Sequence, residues 1–219
     1  VQSMIEQDIL PADLQKDVHG NYFYKIGESR TIFASHLDTV SKDDVEVVHT
    51  FDGDMIGTDG KTTLGADDKA GMTIMLNMIE KGVPGLYYFF IGEERGCVGS
   101  RRVSQNWSNT EFSERITKCV SFDRRGTDSI ITEQFYGVCC SIGFAKELSN
   151  RLNSTKYEFK YCPDPTGIYT DSAQFTKLIP DMVALESAIF SVFPSKISTL
   201  SPTARPDLSI SDLRVKVEP

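Results

Sequence analysis

The sequence predicts an α/β fold, a three-layer α/β/α sandwich around a mixed, largely parallel central sheet. Three observations carry that expectation. Runs rich in β-branched and aromatic residues alternate with stretches of helical periodicity. One run, GLYYFFIG at 85–92, is apolar almost without interruption, as a strand covered on both faces must be. Acids and a histidine cluster where predicted strands end, which is where open α/β sheets gather their sites.

The elements follow in order. NYFYKIG (21–27) and RTIFASHL (30–37) read as strands, and DVEVVHTF (44–51) alternates as one arm of a hairpin with the residues around Met55 and Ile56. DDKAGMTIMLNMIEKG (67–82) reads as a helix, because Met72, Met75, Met78 and Ile79 recur at spacings of three and four, with Gly82 as its C-cap. RITKCVSFD (115–123) is a further strand. CCSIGFAKELSNRLN (139–153) is helical despite Gly143, YEFKY (157–161) is an edge strand, TDSAQFTKL (170–178) a short helix and DMVALE (181–186) a strand.

A chain of 219 residues holds one good core, and no repeat or linker divides it, so residues 1–219 are expected to form one domain. The tail from about Phe193 is rich in Ser, Pro and Thr and reads as poorly packed. The formal net charge of −8, with the acids spread along the chain, speaks against nucleic acid or an anionic membrane as a partner. No apolar stretch is long enough to span a bilayer. No secretory signal is evident, although the chain opens on Val1 rather than methionine. Five cysteines without a CxxC fit buried thiols in a reducing compartment, so the expected location is cytoplasmic.

Four short stretches carry chemistry. SHLDTV brings His36 and Asp38 to one face of an extended segment, so that Asp38 can fix the tautomer of the His36 ring; a surface histidine near an acid is the plainer alternative. GADDKAG sets Asp67 and Asp68 at a helix start, where acids also serve as caps. GEERGCVGS places Glu93 and Glu94 side by side, pointing to opposite sides of an extended chain, and Asp123 ends a strand in SFD. One histidine and several carboxylates at one sheet edge make a hard, oxygen-rich site suited to zinc, cobalt or manganese. A pair of metals there needs a shared carboxylate, ligands on both sides and a separate base. Arg101, Arg102, Arg124 and Arg125 form two basic pairs close by, placed either to meet a substrate carboxylate or to face solvent and neighbouring acids.

Other motifs fail. GTDGKTT contains G-K-T, but the phosphate loop needs glycine where Met55 stands. There is no GxGxxG for a dinucleotide and no GxSxG for a serine nucleophile.

As an ordered set, SHLDTV, TLGADDKAGM, GEERGCVGS and SFDRRG resemble the motifs of the co-catalytic dizinc exopeptidases. GTDGKTTLGADDKAG is similar to the peptidase T and carboxypeptidase G branch, and GEERGCVGS to the bacterial and vacuolar aminopeptidase branch. The resemblance spans residues 17 to 125 and, weakly, GIYTDSAQF at 167–175. It implies that His36 and Asp123 hold one metal, that Asp67 bridges, and that Glu94 holds the second. It implies Glu93 as the general base toward a metal-bridged water, Asp38 as the group that orients His36, and a cis peptide at Asp67–Asp68. The implied cofactor is Zn²⁺ at two sites, and the implied substrate a peptide or aminoacyl compound. The sequence departs from the family twice. Too little chain follows Asp123 for a lid or dimerisation domain, which favours an aminopeptidase over a carboxypeptidase or aminoacylase. The family's final metal-ligating histidine is also missing: the only histidines are His19, His36 and His49, and the chain after IPDMVALES has either diverged or been replaced. The second metal site is therefore expected to be weakened, and a catalytically impaired, metal-binding or structural relative is the alternative expectation.

Overall fold

Leu86, Tyr88 and Phe90 pack into one apolar cluster, and Tyr87 and Phe89 into another. Every residue of this strand is buried, so its two alternating faces are each covered by a separate layer. The computed structural model describes residues 10–40, 46–53, 55–126, 128–155 and 160–185.

In chain order these residues form β1 (Gln15–Lys16), β2 (Tyr22–Ile26), β3 (Thr31–His36), β4 (His49–Asp52), β5 (Met55–Thr58) and α1 (Ala66–Glu80). There follow β6 (Gly85–Phe90), α2 (Val98–Gln105), β7 (Lys118–Phe122), β8 (Ser129–Ile131), β9 (Glu133–Gln134) and β10 (Gly137–Val138). The last are α3 (Ile142–Asn153), β11 (Cys162–Asp164), a 3₁₀ turn at Asp171–Phe175 and β12 (Asp181–Leu185). The central sheet has eight strands in the order β1-β2-β6-β3-β7-β12-β8-β11. Its middle, β6-β3-β7-β12, is parallel, and antiparallel pairings join β2 to β6 and β12 to β8. This is the mixed, largely parallel sheet expected from the sequence.

Each layer follows from side-chain periodicity. On one face, Met72, Met75 and Met78 of α1 pack with Tyr87, Phe89, Val120 and Phe122, and Ala145 of α3 joins them. Burying one such methionine contributes about 1.5–3 kcal/mol. On the other face, Val103 of α2, Trp107 and Phe175 cover Ile32, Ala34, Tyr88 and Phe90.

Several boundaries differ from the sequence reading. The 44–51 arm begins as a strand only at His49, and β4 pairs with β5 in a separate two-stranded hairpin. Residues 44–45, 157–159, Glu186 and the tail from Phe193 lie outside the described residues. Of the edge strand read at 157–161, Lys160 and Tyr161 are not strand, and the strand at that edge of the described sheet is β11, with its exposed Cys162. The helix at 139–153 starts at Ile142, where the Ser141 hydroxyl accepts the Phe144 N–H and caps it. Helix α2 is not evident from the sequence, because VGSRRVSQ carries just two large apolar residues, Val98 and Val103, five apart on a polar background.

Candidate active site

Strands β6, β3 and β7 run parallel, so their C-terminal ends meet at one edge of the sheet. His36 is the last residue of β3, Asp123 follows β7 directly, and Glu93 and Glu94 stand in the loop after β6. The fourth acid arrives from the start of α1. The Asp67–Asp68 peptide is cis, and both residues have non-helical backbone angles, so the regular helix begins at Lys69.

That break separates the two aspartates by role. Asp68 is fully buried, and its Oδ1 accepts the Gly71 N–H at 2.9 Å, as an N-cap should. Its Oδ2 accepts the His36 N–H at 3.3 Å, tying α1 to β3. Asp67 instead projects its Oδ1 to 3.1 Å from His36 Nε2. Gly71 makes the approach possible, since a Cβ there would stand 2.3 Å from the Phe122 carbonyl oxygen and 2.5 Å from the Asp68 carboxylate. Lys69 completes the junction by donating to the Leu37 carbonyl at 2.9 Å.

One donor atom each from His36, Asp67 and Glu94 lies within 4.8 Å of the others. Asp123 Oδ1 is 3.9 Å from His36 Nε2. The structure therefore brings all four sequence-predicted ligands to one place. A nitrogen and several carboxylate oxygens, with His36 buried at 1% exposure, form a donor set that fits zinc or a similar divalent ion. Among the described residues, neither His19 nor His49 enters such a group.

Asp38 acts differently from the sequence reading. Its carboxylate oxygen is 3.8 Å from His36 Nδ1, whereas its backbone carbonyl is at 2.9 Å. The carbonyl therefore accepts the Nδ1 proton and leaves Nε2 toward the acids. The Asp38 carboxylate accepts the N–H groups of Glu93 (3.1 Å) and Glu94 (3.2 Å), so it holds the paired glutamates in place.

The electrostatics follow from burial and crowding. Burial alone would lower the His36 pKa, but the Asp67 hydrogen bond and the charges of Asp123, Asp68 and Asp171 outweigh it and raise it to about 10. Burial pushes Asp123 up to about 7, with neighbouring acids adding to the rise. Burial likewise raises Glu93, and the Cys97 thiol donates to its Oε1 at 3.5 Å.

Asp171, in GIYTDSAQF, was not read as a site residue. It is 1% exposed, its Oδ1 accepts the Ser100 hydroxyl at 2.5 Å, and burial raises its pKa well above the carboxylate range. Nothing in the local sequence distinguishes it from a turn aspartate; its 3₁₀ turn is buried by packing against α2 and the strands β3, β7 and β12. Beside the acids opens a recess of about 430 Å³, lined by Asp67, Asp123, Arg124, Arg125, Gln134 and Tyr169 among others. Arg101 does not line the recess; it donates to the Gly96 carbonyl at 2.8 Å and to the hydroxyl of the lining residue Tyr169 at 3.4 Å.

No family model and no curated protein matches the sequence. Solved structures do match. The TET1 peptidase of Pyrococcus horikoshii superposes with a TM-score of 0.57 at 13% identity, over 84% of this chain and 83% of that one. A glutaminyl cyclase from an Acidobacteriales bacterium gives 0.55 at 16% identity, over 84% and 68%. The LapA aminopeptidase of Legionella pneumophila gives 0.54 at 18% identity, over 77% of this chain and 43% of that one, so the chain spans less than half of LapA. The fold is shared with these α/β enzymes, and two peptidases and a cyclase on one fold mean that the fold leaves the reaction open.

Proposed function

We propose that this chain, which carries the fold of the TET1 and LapA peptidases, is a metal-dependent hydrolase of peptide or related amide bonds, and specifically an aminopeptidase. The observation that carries the reading is the convergence of His36, Asp67 and Glu94 donors within 4.8 Å, with Glu93 beside them. Zinc held by His36, Asp67, Glu94 and Asp123 would supply Lewis acidity toward the substrate carbonyl and the attacking water. Glu93 takes the proton from that water and returns it to the leaving amine. Its burial raises its proton affinity toward the working range of a base. Asp38 holds the Glu93 and Glu94 backbone, and its carbonyl keeps His36 in one tautomer. Five free cysteines support a cytoplasmic location as part of the same reading.

The test pairs metal analysis with turnover. Protein purified without chelator should contain metal by elemental analysis and release product from aminoacyl reporters. Glu93→Gln should abolish turnover while metal content is unchanged; full activity in that variant would sink the assignment. A second reading rests on the absence of any histidine after His49. It is a relative that holds at most one metal and hydrolyses no aminoacyl reporter, and the same two measurements separate it.

A further inference from the structure

The recess beside the acidic cluster contains positive charge that the proposed reaction leaves unused. Arg124 and Arg125 follow Asp123 directly and line the same cavity as Asp67 and Asp123. Arg125 is exposed and has no ion-pair or hydrogen-bond partner among the described residues. On the opposite wall the Gln134 side chain is already engaged. The Gln134 side-chain oxygen accepts from the Thr170 N–H (3.1 Å) and hydroxyl (3.0 Å), and its amide donates to Ser172 Oγ at 2.9 Å. A guanidinium unpaired among the described residues, in a chain of net charge −8, here lines an open recess. A guanidinium's fork of N–H donors matches a carboxylate in both charge and shape.

We propose that Arg125, with Arg124 beside it, is a subsite for a carboxylate on the leaving side of the substrate. This rests on the amide-hydrolase reading above and adds a substrate feature to it. The carboxylate is either the free C-terminus or an acidic side chain just beyond the cleaved bond. One residue, Arg124, separates Asp123 from Arg125, so their Cα atoms are at most about 7.6 Å apart. The recognised carboxylate therefore lies within a few residues of the scissile carbonyl, while the substrate's amine faces the acids at the other end.

Isothermal titration calorimetry on the zinc-loaded full chain carrying Glu93→Gln tests this without turnover. Three probes are compared: Leu-Ala, Leu-Ala-amide and Leu-Asp-amide. Leu-Ala is expected to bind about tenfold tighter than Leu-Ala-amide. Gross charge predicts the reverse, since the amide is more cationic and the protein is acidic. Arg125→Gln should close the gap and leave the affinity for Leu-Ala-amide unchanged. Tight binding of Leu-Asp-amide assigns the subsite to a side-chain carboxylate as well, and weak binding restricts it to the terminus. Equal affinities for all three probes, no binding of any, or a gap that survives in both Arg125→Gln and Arg124→Gln would overturn the proposal. Hydrolysis of Leu-Ala and its amide at equal affinity would sink the subsite and leave the peptidase reading standing. A binding gap without hydrolysis in the unmutated chain would do the opposite.

Discussion

Ser100 and Asp171 meet across two elements far apart in sequence: the Ser100 hydroxyl donates to Asp171 Oδ1 at 2.5 Å, and Asp171 Oδ2 has no partner among the described residues. Ser100→Ala would leave a buried carboxyl with no hydrogen-bond partner among the described residues. The expected cost is roughly 1–3 kcal/mol in urea unfolding. Asp171→Asn keeps the shape and removes the ionisable proton. Because burial already holds Asp171 toward its neutral form, that variant should lose less than about 1 kcal/mol. A large loss in Asp171→Asn would mean that the pair works as an ion.

Metal binding should release protons. In the metal-free protein His36 is held protonated up to about pH 10 and Asp123 up to about pH 7. Both must give up the proton to ligate. Zinc titrations at pH 7.5 in buffers of different ionisation enthalpy should report release of about one proton from His36. A buffer-independent heat would contradict the raised His36 value.

The same groups set the pH dependence of stability. His36 has a folded pKa above its unfolded value near 6.5, so its contribution is full below that value and is lost as pH rises through about 10. Asp123 is also raised, from near 3.8 to about 7, so folding binds its proton and loses that contribution as pH rises through about 7. Asp67 is lowered through its hydrogen bond to His36 and acts oppositely, but only as pH falls below the carboxylate range. Melting temperatures of chelator-treated protein should therefore fall from pH 5 to pH 9. Added zinc should stabilise more at pH 8 than at pH 6, since protons compete for its donors. A metal-free Tm that climbs across this window would refute the account.

Gly71→Ala tests the junction of α1 with β7. Its Cβ would lie 2.3 Å from the Phe122 carbonyl oxygen, so the helix start must shift. The expected cost is about 1–3 kcal/mol in chemical denaturation. Because Asp67, Asp68 and Asp123 flank that contact, zinc affinity should fall as well. Unchanged affinity would mean that the aspartates are placed independently of this packing.

Periodicity made the layers and the sheet centre legible: the methionines of α1 and the apolar run of β6 read directly as buried faces. The site residues were legible because each acid or histidine sits at a strand end or helix start, where its neighbours in sequence identify it. What stayed hidden depends on contacts between distant segments. The burial of Asp171 comes from α2, whose own sequence is polar and short, together with the strands β3, β7 and β12. The cis peptide at Asp67–Asp68 was expected from the resemblance alone, and what stayed hidden is that Asp68 ties α1 to β3 through the His36 N–H. The role of the Asp38 carboxylate depends on where the β6 loop passes, some 55 residues later.

Strand β12 lies between β7 and β8, pairing with both. A ribosome delivers residues 118–131 well before 181–185, so β7 and β8 must wait with a strand-wide gap between them. During that interval two ladders of backbone N–H and C=O groups stand unpaired and open to another nascent chain. The sheet therefore closes only once Asp181–Leu185 has been made, and a chain released before Asp181 would present a slot shaped for the missing strand.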